Sequence, residues 1–207
     1  KGIHTGIIID WEKGFNRYPQ EHKPLNLISL EDGQFALQPN NYCKFRDDHF
    51  IKEEYFEQTK RYGIPEDEAL EQVHKFNETG VLGFVPAYKD SVEFVTKFAR
   101  EGWRFEVITM IGKDKYAHQL RKANLKHLFG DVFDYIYCAG DFRKPKKDIL
   151  EERYKGKDYI WVEDRVDYAI QGEEVGLNTF MMDHPYNREG WDGKRVKNWS
   201  ELYDATH

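Results

Sequence analysis

The sequence predicts a doubly wound α/β fold, a Rossmann-like parallel sheet with helices on both faces, and three observations carry that prediction. Short, apolar, β-branched runs recur along the chain, helical patterns separate them from residue 88 onward, and one long insertion interrupts the alternation after the first run. The runs fall at 6–9, 105–109, 133–137, 159–162 and 178–182. Continuous apolar runs suit strands buried on both faces.

The helical patterns follow in order. Over 91–100, apolar residues stand at 92, 94, 95, 98 and 99, and Gly102 comes next as a stop signal. The stretches 116–124 and 166–174 read similarly, the latter closed by Gly176. Ile9 and Phe105 are 96 positions apart, whereas a simple crossover unit needs about 30 residues. The excess predicts a mainly helical insertion at 16–84 and a core made of 1–15 and 85–207. Within the insertion, Asp32-Gly33 centres a hairpin signal over 25–38, an amphipathic helix spans 49–62, and Pro65-Glu66-Asp67-Glu68 starts a helix running to Phe76. Gly80 and Gly83 are the expected hinge positions.

Composition narrows the function classes. The chain has 207 residues, 40% of them apolar, enough for one sizeable core. With 31 basic against 37 acidic residues the formal charge is −6, which disfavours binding a nucleic-acid polymer through counterion release. No apolar run is long enough to span a membrane, and the first residues lead into a strand-like run rather than a signal-peptide core. Cys43 and Cys138 form neither a metal-ligand pattern nor a disulfide framework, so a reducing, cytoplasmic setting is expected.

Ligands of open α/β sheets bind beyond the carboxyl ends of the strands, so polar residues at those ends are the candidates. The first run ends at Asp10, followed by Trp11-Glu12; the second ends at Thr109, followed by Met110; the fourth runs into Glu163-Asp164-Arg165-Val166-Asp167. Lys144 lies upstream in Arg143-Lys144-Pro145-Lys146-Lys147. Each feature has a bland reading. An aspartate can cap a turn, acidic residues favour helix N-termini, a threonine is an ordinary strand residue, and a lysine run is a solvated patch. Together they make a phosphoryl-transfer set. Carboxylates from two strands hold Mg²⁺, which takes few protein ligands; one carboxylate serves as nucleophile; a lysine and a hydroxyl steady the equatorial oxygens.

The order of strand plus Asp10, strand plus Thr109, Lys144-Pro145 and Trp161-Val162-Glu163-Asp164 resembles the four motifs of the haloacid dehalogenase-like (HAD) superfamily of phosphohydrolases. The insertion sits where that superfamily places its C1 cap. The segment from Phe180 through Asp183-His184-Pro185-Tyr186-Asn187-Arg188, with Arg195-Val196 and Trp199, is similar to the C-terminal segment of type C 5′(3′)-deoxyribonucleotidases. The resemblance implies Mg²⁺-dependent hydrolysis of a small phosphomonoester, a 5′-nucleotide first among them, through an aspartyl-phosphate. It implies Asp10 as nucleophile and metal ligand, Glu12 in the place of the general acid and a further metal ligand, and Thr109, Met110 and Lys144 as phosphate-binding residues. Asp164 is then the second metal ligand, assisted by Glu163, and Lys147 is the reserve for the motif lysine.

Two departures accompany the match. The family's general acid is an aspartate, one methylene shorter than Glu12, and the glycine-threonine or glycine-valine that follows it is replaced by Lys13-Gly14-Phe15. A catalytically impaired binding or regulatory protein, and a phosphomutase, are therefore the competing expectations.

Overall fold

In the computed structural model, which describes residues 2–5, 64–88, 90–140 and 145–207, six strands form one sheet in the order β3-β2-β1-β4-β5-β6. They are β1 (Gly2–Thr5), β2 (Arg104–Met110), β3 (Phe133–Ala139), β4 (Ile160–Glu163), β5 (Asn178–Met182) and β6 (Lys194–Val196). All five pairings are parallel, as expected for the doubly wound class. The strand order reverses beside β1, and at such a switch point the loops leaving neighbouring strands part to open a crevice.

The helices are α1 (Glu66–Asn77), α2 (Ser91–Arg100), α3 (Lys115–Phe129), α4 (Lys147–Tyr154), α5 (Val166–Val175) and α6 (Trp199–Thr206), with a 3-10 turn at Gly80–Phe84. Helix α1 begins directly after Pro65 and carries Glu66, Asp67 and Glu68 in its first turn, where negative charge suits the helix dipole. Helix α3 outruns the expected 116–124 at both ends. The Asp114 carboxylate caps it by accepting from the Ala117 amide at 2.9 Å, and buried Leu125 and Phe129 extend its apolar face to Gly130. Helix α5 stops at Gly176, which takes φ 92°, as the sequence indicates. Helix α6 and strand β6 are additions to the sequence reading. The expected strand at 6–9, the hairpin over 25–38 and the helix over 49–62 lie outside the described residues.

Alternation along β2 divides the core between the two faces of the sheet. Phe105 and Val107 join Phe98, Leu125, Trp199 and Leu202 on the side of α2, α3 and α6, while Ile108 joins Leu150, Tyr154 and Trp161 on the side of α4 and α5. Burying a large aromatic such as Phe98, which is 0% exposed, is worth about 3–5 kcal/mol against its alanine replacement. Trp161 brings α5 so close to the sheet that a Cβ on Gly172 would stand 2.4 Å from the indole Cδ1, so glycine is required there by the approach of the two elements.

The described residues between β1 and α2 pack into the same core. Ile64, Phe76 and Leu82 belong to the same apolar cluster as Val95 and Phe98. The Asn77 side-chain amide donates to the Ile111 carbonyl at 3.2 Å, and that of Asn124 donates to the carbonyls of Gly83 and Val85 at 3.1 and 3.0 Å. A Cβ on Gly83 would meet Leu120 Cδ2 at 3.2 Å, which gives Gly83 a close-packing role at the position where the sequence suggests a hinge.

Candidate active site

Register fixes the level of the site. Thr5 at the described end of β1 pairs with Val107 on one side and Val162 on the other. Thr109 and Asp164 each lie two residues beyond those partners, so they stand at one level of the same sheet edge, flanking the exit of β1. Two strand spacings separate them, about 10 Å. Thr109 and Met110 are half-buried. Asp10, Glu12 and Lys144 lie outside the described residues.

The carboxyl end of β4 carries the charge. Glu163 and Asp164 are 1% and 2% exposed. Glu163 Oε1 is ion-paired with Lys146, whose side chain is itself buried, and Glu163 Oε2 accepts from the Asp164 amide at 3.1 Å. Both oxygens of Glu163 are thereby engaged by protein groups, an arrangement that turns it toward a lysine rather than toward direct metal ligation. Burial pushes the Glu163 carboxyl up to about 7 even against the attraction of Lys146. Asp164 is likewise raised by burial, opposed first by its hydrogen bond from Tyr186.

The two described lysines of the cluster separate by burial. Lys146, the residue before α4, is 3% exposed, and its ammonium lies 4.4 Å from the Tyr168 ring centroid and 5.3 Å from that of Trp161, where the ring faces add to its attraction toward Glu163. Lys147 points to the surface and pairs with Glu174 at 2.7 Å. Pro145 stands two positions before the first residue of α4. Nothing in the sequence spacing distinguishes Lys146 from its neighbours.

Asp164 is gripped by the loop between β5 and β6. The Tyr186 hydroxyl donates to Asp164 Oδ2 at 2.5 Å, and the Asn187 side-chain amide donates to the Asp164 main-chain carbonyl at 2.6 Å and to that of Met182 at 2.8 Å. Arg195 holds Asn187 in turn, from Nη1 to Oδ1 at 2.8 Å and from Nη2 to the carbonyl at 2.8 Å. Sequence reading singles out this segment through its resemblance and assigns its residues no role; the 22 positions between Asp164 and Tyr186 carry no local pattern linking them. Asp167 binds Arg165 at 2.7 and 3.0 Å.

The other carboxylate oxygen, Asp164 Oδ1, is buried with no hydrogen-bond partner among the described residues. A buried, unsatisfied carboxylate oxygen fits a hard cation, the chemistry that Mg²⁺ asks for with only one or two protein carboxylates. Among the described residues, which do not include Asp10 and Glu12, there is no group of three or more His, Cys, Asp or Glu suited to hold a metal.

No protein-family model and no curated protein matches the chain, but solved structures do. A predicted phosphatase from Clostridium acetobutylicum is 14% identical with a TM-score of 0.64, covering 100% of this chain and 97% of its own. A haloacid dehalogenase-like hydrolase from Streptococcus pneumoniae is 12% identical with a TM-score of 0.62, covering 100% and 98%. An L-2-haloacid dehalogenase is 11% identical with a TM-score of 0.59, again covering 100% and 98%. The chain has the fold of the haloacid dehalogenase-like hydrolases.

Proposed function

We propose that the chain is a Mg²⁺-dependent phosphatase of the HAD superfamily acting on a small phosphomonoester. The observation that carries this reading is Asp164 Oδ1, a buried carboxylate oxygen without a hydrogen-bond partner among the described residues, beside a buried lysine at the switch point of the sheet. Displacement of halide from carbon has no need of such a cation-fitting oxygen, whereas a phosphoryl group brings negative oxygens that must be neutralised.

In this reading Asp10, five residues beyond Thr5, is the nucleophile and attacks phosphorus in line, displacing the alcohol of the ester. Glu12 protonates the leaving oxygen and then takes the proton of the water that hydrolyses the phosphoenzyme. Thr109 donates its hydroxyl to one equatorial oxygen, beside Met110. Lys146, held in place by Glu163, supplies the ammonium in the role expected of Lys144, and Asp10 and Asp164 are the carboxylates that hold Mg²⁺. When bound, the ion neutralises phosphate charge and draws nucleophile and phosphorus together. The similarity of the 180–188 segment to type C nucleotidases supports a 5′-nucleotide as substrate, with residues 16–84 as the C1 cap. No helix among the described residues is long and apolar enough to cross a membrane.

The test is phosphate release from nucleotide and sugar-phosphate panels with Mg²⁺. Turnover that Asp10→Asn abolishes supports the reading; the absence of release from every ester sinks it. Glu12 motivates the second reading, a binding protein that has lost catalysis: a carboxyl displaced by about 1.5 Å can cost on the order of a hundredfold in rate. A large gain in turnover from Glu12→Asp would favour a competent, slowed enzyme, and failure of the chain to bind Mg²⁺ would favour the scaffold.

A further inference from the structure

We propose that Tyr186 is a positioning residue for Asp164, fixing which carboxylate oxygen is offered to a divalent cation; the proposal rests on the phosphatase reading above. The two oxygens of Asp164 are treated differently. Oδ2 accepts the Tyr186 hydroxyl at 2.5 Å, while Oδ1 is buried and has no hydrogen-bond partner among the described residues. A carboxylate pinned through one oxygen cannot rotate about its Cβ–Cγ bond without losing a charge-assisted hydrogen bond, so the phenol decides that Oδ1 faces the site.

A pin works only if it is itself held. The Tyr186 ring stacks on that of His184, with centroids 5.0 Å apart and planes 7° from parallel. His184 Nε2 lies 3.3 Å from the Tyr88 hydroxyl, on the segment that returns from the insertion, and the His184 amide donates to Asn187 Oδ1 at 3.0 Å. Asn187 binds the Asp164 main chain at the same time. The loop thus holds Asp164 at its backbone through Asn187 and at its side chain through Tyr186, an outer layer of the kind whose loss weakens metal binding 10–100-fold.

The experiment measures Mn²⁺ binding to the purified chain, without substrate, by the electron paramagnetic resonance of the free ion, alongside thermal unfolding of the metal-free protein. Tyr186→Phe keeps the ring and its stack but removes the donor, and is expected to weaken Mn²⁺ binding by about 10–100-fold. Wild-type affinity in this variant, whatever happens to its melting temperature, overturns the proposal, because a merely structural tyrosine would change stability and leave the folded protein's affinity alone. If Tyr186→Phe does not fold, His184→Leu decides: it removes the stacking partner without touching Asp164, a weaker affinity is expected, and an unchanged one overturns the proposal. Asp164→Asn separates the two levels. If it binds Mn²⁺ as well as wild type, the phosphatase site itself is wrong; if it loses binding while Tyr186→Phe does not, only the role of Tyr186 falls.

Discussion

Lys146 and Glu163 form an ion pair closed off from water, their side chains 4% and 1% exposed. One stands at the start of α4 and the other ends β4, so the pair ties a helix N-terminus to the edge of the sheet where Asp164 begins the next loop. Removing one partner strands the other as a buried charge, which costs about 3–5 kcal/mol. Lys146→Met is therefore expected to lower stability by that amount in urea titrations and to slow phosphate release at least about a hundredfold, the usual loss when one preorganised donor to a developing charge is deleted. Lys147→Ala, at an exposed pair with Glu174, is expected to leave turnover within about twofold. The reverse ranking would favour the exposed lysine for the proposed catalytic role.

The same pair makes stability depend on pH. Burial raises Glu163 from 4.5 to about 7, so the folded chain binds this proton more tightly than the unfolded one. Protonation of Glu163 then contributes stability that is fully present below the unfolded value and is lost as pH rises through the folded one. For the metal-free protein, the melting temperature contributed by this group falls as pH rises between about 4.5 and 7. Calorimetric scans of Glu163→Gln should lack that part of the slope; an identical pH profile in wild type and variant would refute the assignment.

How much of this could be read beforehand differs from residue to residue. Strand β5 falls at Asn178–Met182, as its apolar run indicates, and Thr109 and Glu163-Asp164 sit at strand ends because hydrophobic runs of period two or less define those ends without help from the rest of the chain. Helix α6 had a legible start, since the Asn198 side chain caps the Glu201 amide at 2.8 Å and Glu201 answers by accepting from the Lys197 amide at 2.8 Å, a near capping box. Strand β6, at three residues, is too short for any periodicity. Helix α4 offers only Leu150 and Tyr154 as fully buried residues among charged ones, so its apolar signal is thin. The choice of Lys146 over Lys147 and the hold of Tyr186 on Asp164 belong to tertiary structure: both depend on which element lies across from the residue, information that is absent from its neighbours in sequence.

Asn187 is 1% exposed and uses its amide on two main-chain carbonyls, of Asp164 and of Met182, while its side-chain oxygen accepts from His184 and Arg195. Asn187→Ala removes the donor from two carbonyls and the acceptor from a guanidinium in one step. At about 1–3 kcal/mol for each buried group left unsatisfied, the loss is expected to reach about 2–4 kcal/mol, read as a drop in the urea midpoint at unchanged slope. A change below about 0.5 kcal/mol, typical of a surface site, would mean that the loop does not depend on this residue.

Arg121 on α3 presents the opposite case, a charge whose removal should help. It is 6% exposed, and among the described residues its Nε has no hydrogen-bond partner and no ion pair involves it. Burial lowers its affinity for the proton, to about 10, which is the signature of a cation that the fold disfavours and has not neutralised. Because the folded value lies below the unfolded one, this cost is present throughout the neutral range and is relieved only as pH rises above about 10. Arg121→Met retains most of the stem that packs against the core and deletes the charge, an exchange that is neutral to stabilising by about 1–4 kcal/mol where buried charges give way to apolar groups of similar volume. The expected result is a higher melting temperature with Mg²⁺-dependent turnover preserved. A lower melting temperature would show that the guanidinium holds a stabilising contact, and the account of Arg121 as a net cost to the fold would have to be abandoned.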